Sequence, residues 1–257
     1  MCRIVGIINP QHTRLQEDIL QMRDAMQHGG PDGAGVFVDA AKGIALGHRR
    51  LSLLDLSAAG AQPMQDTSER YQLVFNGELY NYAELKEELL ALGYHFRSNS
   101  DTEVVLYAFM AWGTEAFHRF NAMFALAIYD THTGILTLAR DAVGIKPLYY
   151  HQAADRFLFA SELRAFKALE AHWPLQKNWS IYFLAFGFIP EPFTQLQNID
   201  ALAPGSYMQI NAKAQCVNTA SFVHETKKIS ITQEADAIAA IRNSLSAAVQ
   251  RQLVADA

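Results

Sequence analysis

The sequence predicts an α+β fold in which helices separate groups of antiparallel strands. Three observations lead there. Short β-like runs come in pairs joined by turn residues, helix-like runs carry their own start and stop signals, and strands and helices do not alternate one for one. Ile4–Ile8 is a continuous apolar run, read as a buried strand. Arg14–Gln27 places Ile19, Met22 and Met26 at helical spacing, and His28-Gly29-Gly30-Pro31-Asp32-Gly33 ends it in a tight loop. Gly35–Val38 and Ile44–His48 read as a strand pair joined across Ala40–Gly43, followed by Arg49-Arg50-Leu51-Ser52-Leu53-Leu54-Asp55.

Tyr71–Phe75 reads as a strand running into Asn76-Gly77-Glu78. Asn81 is then predicted to cap a helix, with Glu84 completing a capping box, Leu85, Leu89 and Leu92 buried, and Gly93 as the stop. Ser100-Asp101-Thr102-Glu103 is a second box-like start, opening a helix that runs through Trp112 to Gly113. Ala122–Tyr129 with Ile135–Arg140, and Gly144–Tyr150 with Arg156–Ala160, read as two hairpins. Ser161–Leu169 reads as a short helix, and Pro204–Ile210 with the turn near Asn211–Gln215 as a last hairpin. The composition changes after Val223. The predicted domain therefore covers residues 1–223, with a polar linker at 224–235. Asp236–Val254 then reads as an amphipathic helix with Ile238, Ile241, Leu245, Val249 and Leu253 on one face.

Length and composition narrow the function classes. At 257 residues, 50% apolar and 18% charged, the chain can bury a large core. A net charge of −5 with no basic block argues against a nucleic-acid partner. Cys2 and Cys216 make no disulfide framework, which suits a reducing compartment. No signal peptide precedes the first strand, and the most apolar patch, Ile181–Ile189, is too short to span a bilayer. The expectation is a soluble cytoplasmic protein with no membrane or metal partner.

Cys2 becomes residue one if Met1 is removed. It then carries a nucleophilic thiol and an α-amine whose reference pKa, about 7.7–8.0, suits a base. A free cysteine also commonly packs as a small apolar group, so position alone leaves both readings open. Arg50 follows a strand, where a guanidinium can grip a carboxylate or make a surface salt bridge. Asn76-Gly77 is either a plain turn or a pair of oxyanion donors, a side-chain amide and a backbone N–H. Glu78 follows at once. Asp101 stands in a helix's first turn, where acids are favoured anyway, and can also receive an ammonium. Together these residues describe a site for a free amino acid, with a cysteine to attack it.

The chain resembles the N-terminal glutaminase domain of class II glutamine amidotransferases, most closely the asparagine synthetase branch. The resemblance rests on Cys2, His28–Gly33, Leu46-Gly47-His48-Arg49-Arg50-Leu51-Ser52, Ala61–Met64, Phe75–Asn81, Ser100–Glu103, Met123-Phe124-Ala125, Arg140-Asp141, Gly144–Leu148 and Ala160-Ser161-Glu162, in the family's order. It implies an N-terminal-nucleophile fold, a four-layer α/β/β/α sandwich of antiparallel sheets. It implies that Cys2 attacks the side-chain amide of glutamine, with oxyanion donors at Asn76 and Gly77. Glutamine would be held by Arg50, the backbone of Leu51, Ser52, Leu53 and Leu54, and by Asn76, Gly77, Glu78 and Asp101.

Two departures stand out. The family usually has His-Arg-Gly-Pro-Asp and here the Arg is Gly29, so a cation near the site is expected to be lost. The family often has Gly after Cys and here it is Arg3, a bulky neighbour expected to slow Met removal or crowd the thiol. No Ser-Gly-Gly-x-Asp-Ser string of a synthetase domain occurs. ATP and Mg sites are thus expected outside this sequence, in a synthetase domain or subunit that accepts the ammonia, with residues 236–257 as that domain's first helix. Two rival readings are an N-terminal-nucleophile amidase of another substrate and a catalytically weak glutamine-binding regulatory domain. Arg50 with Asp101 counts against the first, and the complete set of chemical residues against the second.

Overall fold

The computed structural model describes residues 2–11, 13–52, 55–223 and 231–253. In chain order the elements are β1 Arg3–Ile8, α1 Leu15–Asp24, β2 Gly33–Asp39, β3 Ile44–Arg50, β4 Met64–Gln65, β5 Tyr71–Leu79, α2 Tyr82–Ala91 and α3 Asp101–Trp112. There follow β6 Ala122–Asp130, β7 Ile135–Arg140, β8 Tyr149–Gln152, β9 Phe157–Ala160, α4 Leu163–Leu169, α5 Trp179–Phe186, β10 Asp200–Ala201, β11 Ser206–Ile210, β12 Cys216–Ser221 and α6 Glu234–Gln252. Among the described residues no helix is long and apolar enough to cross a membrane.

The strands form two six-stranded sheets, ordered β10-β8-β9-β1-β3-β2 and β12-β11-β7-β6-β5-β4. Strand alternation explains how they stack. On β1, Ile4 and Ile8 join the cluster between the sheets, while Val5 and Ile7 join the cluster under α1 and α4. On β5, Val74 faces the opposite sheet, while Leu73 and Phe75 pack under α2 and α3. The result is the expected four layers, helix, sheet, sheet and helix. Ile4, Ile8, Ile44, Leu46 and Val74 are all fully buried between the sheets. Each such aliphatic side chain contributes about 1.5–3 kcal/mol of burial.

Several expectations need correction. Asn81 occupies the N-cap of α2 but makes no side-chain cap. Its φ of −102° and ψ of 28° are not the extended values a capping side chain needs. The amide instead accepts from the Asn121 N–H at 2.9 Å and donates to the Arg119 carbonyl at 3.0 Å, tying α2 to the turn before β6. Leu92 is exposed, because α2 ends at Ala91. The box at α3 is half formed. Ser100 Oγ accepts the Thr102 N–H, but Glu103 turns to the backbone N–H groups of Arg97 and Ser98. Residues 144–148 are not a strand. They wrap around the fully buried Asp141, whose carboxylate accepts the N–H groups of Phe124, Val143, Ile145 and Lys146 at 2.9–3.2 Å. The sequence reading also missed α5.

Candidate active site

The inner faces of the two sheets meet the surface at one end of the sandwich, and the site lies there. Cys2 stands two residues before Ile4, in the same strand phase. Its Sγ accepts the Leu51 N–H at 3.4 Å and lies 3.5 Å from the Leu51 carbonyl. Burial pushes the thiol's pKa up, while the Leu51 backbone bond and the Arg50 cation act against it. The start of β1 is clamped. Ile4 donates to Ser161 Oγ at 3.0 Å and its carbonyl accepts the Ser161 N–H at 2.9 Å.

β5 forms the facing wall. On a strand, alternate N–H groups point to the same side. Phe75 donates its N–H to Gln62 Oε1 at 2.6 Å, and Leu79 donates to Asp101 Oδ2 at 2.9 Å. The Gly77 N–H between them therefore points the same way, beyond the end of the two-residue β4. Asn76 is 1% exposed, and neither its Oδ1 nor its Nδ2 has a hydrogen-bond partner among the described residues. Leaving a buried amide unpaired costs about 1–3 kcal/mol, so a ligand group is the natural partner. A side chain at 77 would lie 2.5 Å from the Met123 carbonyl, so only glycine lets the wall approach so closely. His48, fully buried with its pKa driven down to about 3, stays neutral. It donates to the Phe75 carbonyl at 3.2 Å and fixes one sheet against the other beside Asn76.

Cys2, Arg50, Leu51, Asn76, Gly77, Glu78 and Asp101 line one pocket. Burial raises Glu78 to about 7, and neighbouring Asp101 adds to the rise while Lys146 opposes it. Burial likewise raises Asp101 to about 6. Arg50 donates to the carbonyls of Ser57 and Asp55, so the 55–60 loop orients its guanidinium. Ser52 donates its N–H to Asp32 at 2.9 Å, and the Asp32 N–H reaches the Arg50 carbonyl. The His28–Gly33 loop thus lies along the segment that holds Cys2. Leu53 and Leu54 lie outside the described residues.

The sequence reading missed Gln62, Thr102, Met123 and Lys146, all on the pocket wall. Lys146 is 2% exposed, and burial lowers its pKa against the pull of Cys2, Glu78 and Asp141. The available signal was a lone lysine inside the apolar run Ile145–Leu148. The expectations that Arg3 crowds the thiol and that a cation is lost beside Gly29 also need correction. Arg3 does not crowd the thiol. Its side chain leaves β1 on the opposite face, donates to the Cys2 carbonyl at 3.0 Å and pairs with Glu162. Its guanidinium lies against Gly29, so a cation is present there after all.

A thiol, a buried amide, an arginine and two carboxylates thus share one pocket at the end of an antiparallel sandwich. The family model "Glutamine amidotransferase domain" matches residues 1–222. Asparagine synthetase [glutamine-hydrolyzing] 1 of Bacillus subtilis is 35% identical over 260 residues, covering 100% of this chain and 40% of the relative. A putative asparagine synthetase [glutamine-hydrolyzing] 2 of Methanocaldococcus jannaschii is 36% identical over 217 residues, covering 77% of this chain and 42% of the relative. The chain thus spans about two fifths of the length of these curated relatives. Among solved structures, the glutamine phosphoribosylpyrophosphate amidotransferase from B. subtilis superposes with a TM-score of 0.61 at 20% identity. The match covers 87% of this chain and 50% of that one, and it speaks to the fold alone. The chain belongs to the glutamine amidotransferase domain family.

Proposed function

We propose that the chain hydrolyses glutamine to glutamate and ammonia through a thioester at Cys2. The observation that carries the reading is the buried Asn76 amide, without a partner among the described residues, in the same pocket as the Cys2 thiol. With Met1 removed, the α-amine of Cys2 takes the thiol proton as Sγ attacks the glutamine Cδ. The carbonyl oxygen becomes an oxyanion between Asn76 Nδ2 and the Gly77 N–H. The intermediate collapses, the C–N bond breaks, and the amine returns its proton to the departing ammonia. Water, deprotonated by the same amine, then cleaves the thioester. Arg50 holds the α-carboxylate, with the backbone of residues 51–54 beside it, and Asp101 and Glu78 hold the α-ammonium.

The ammonia goes to a synthetase domain or subunit that amidates aspartate or a related carboxylate. Residues 1–223 form the glutaminase domain, and α6, Glu234–Gln252, belongs to the first helix of that second unit. α6 fits this role, since none of its residues is buried. ATP and Mg act in the second unit. A pocket holding Glu78 and Asp101 does not suit a triphosphate. The cytoplasm keeps Cys2 reduced.

Ammonia release is the test. Glutamine is expected to be turned over, while N-acetylglutamine, which lacks the α-ammonium, is not. Equal rates with both would contradict the assignment of Asp101 and Glu78, and no release from glutamine would overturn the function. The pH dependence follows from the same two groups. The empty site holds protons on Glu78 up to about pH 7 and on Asp101 up to about pH 6. Their raised folded values cost stability as pH rises through that window. An ammonium ligand needs both carboxylates ionised. Glutamine is therefore expected to raise the Tm of the Cys2→Ala protein more at pH 8 than at pH 5.5. A shift that is equal, or larger at pH 5.5, would remove these carboxylates from recognition.

A further inference from the structure

We infer that Arg3 is a positioning residue for Cys2, seated in a space that exists only because residue 29 is glycine. The inference rests on the proposed role of Cys2. A Cβ on Gly29 would lie 2.6 Å from both Cζ and Nε of Arg3, and 2.9 Å from its Cγ. Gly29 is itself buried, in the turn after α1, with its N–H bonded to the Met26 carbonyl at 3.0 Å. The guanidinium cannot retreat without leaving its partners. Nη1 donates to the Cys2 carbonyl at 3.0 Å and Nε donates to Glu162. Glu162 is gripped in turn by Arg164 at 2.9 Å and His28 at 3.1 Å. The adjacent Ser161 binds both main-chain groups of Ile4.

One short segment before α4 thus holds the chain just after the nucleophile by its backbone, and through Arg3 by the Cys2 carbonyl. A carbonyl fixed on one side and a thiol fixed by Leu51 on the other leave the Cys2 α-carbon little freedom. The planar fork of arginine reaches both acceptors at once, which the single ammonium of lysine does not. The two residues that looked like separate departures are one arrangement. A side chain at 29 would displace Arg3 from the position it holds against the Cys2 carbonyl and Glu162.

The test is a double-mutant cycle in the full chain with Cys216→Ser, so that Cys2 is the thiol followed. The proteins are the parent, Gly29→Ala, Arg3→Gly and the double variant, with Arg3→Lys added. The readings are kcat and KM for ammonia release, the Tm, and the rate of Cys2 alkylation by iodoacetamide. Gly29→Ala and Arg3→Gly are each expected to lower kcat by about tenfold, as for the loss of one charge-assisted hydrogen bond, with KM unchanged. The double variant is expected to be no slower than Arg3→Gly alone, because the added methyl then meets empty space. Arg3→Lys should recover only part of kcat, and alkylation rates should follow the same order. Losses that multiply in the double variant, an effect confined to KM or to Tm, or alkylation equal in all five proteins would overturn the inference. If the parent releases no ammonia, the functional reading fails, and the alkylation series still decides for or against Arg3.

Discussion

Cys2→Ala is expected to abolish ammonia release from glutamine while glutamine still binds. The loss of a nucleophile that works as a unit with its base costs on the order of 10⁶ in kcat. Among the described residues nothing else on the pocket wall replaces it. The hydroxyls of Ser100 and Thr102 line the same pocket, but Ser100 Oγ caps α3 and Thr102 Oγ1 is bonded to Gln62 and Asp101. Burial raises the Cys2 thiol above its ordinary pKa, so at neutral pH it is protonated and depends on a base. The proposed mechanism assigns that base to the free α-amine. Protein that keeps Met1 carries an amide instead and is expected to be as inactive as the alanine variant. Full activity in protein whose mass includes Met1 would contradict the self-activating mechanism.

The second large effect belongs to Asn76. Asn76→Ala is expected to lower kcat by about 10²–10³ with little change in KM, because the amide meets charge only in the tetrahedral intermediates. Stability sharpens this prediction. Among the described residues the amide has no partner, so removing it relieves a desolvation cost, and the Tm should hold or rise. A side chain kept for structure gives the opposite pattern, a lower Tm with kcat preserved. Measuring kcat and Tm on the same preparation separates the two.

Much of this site was legible in the sequence because it sits at ends of elements. Asn76, Gly77 and Glu78 end a strand, Asp101 opens a helix and Arg50 closes β3, so each broke a local apolar pattern. The four layers were legible in part from strand alternation, although their stacking came from the family resemblance. What escaped has physical reasons. α5 reads Trp-Ser-Ile-Tyr-Phe-Leu-Ala-Phe, apolar on every side, and no residue of it is buried, so no helical period marks it. Strands of two residues, β4 and β10, are too short to carry a pattern. Leu92 followed the helical spacing, but α2 stopped one residue before it. Asn81 has the composition of a cap, yet a long-range partner at Asn121 won its side chain. Lys146 enters the pocket only because the chain winds around Asp141, an arrangement no local rule foretells. Arg3 and Gly29 lie far apart in sequence, and only the fold shows that they share one space.

The thioester is the central claim, and mass spectrometry of acid-quenched protein tests it most directly. During turnover of glutamine, a fraction of the chain lacking Met1 is expected to gain the mass of a glutamyl group on the peptide that begins with Cys2. Hydroxylamine should remove it, and the Cys2→Ala protein should never show it. Ammonia release at full rate from the Cys2→Ala protein, or a glutamyl group on any other residue, would contradict the account.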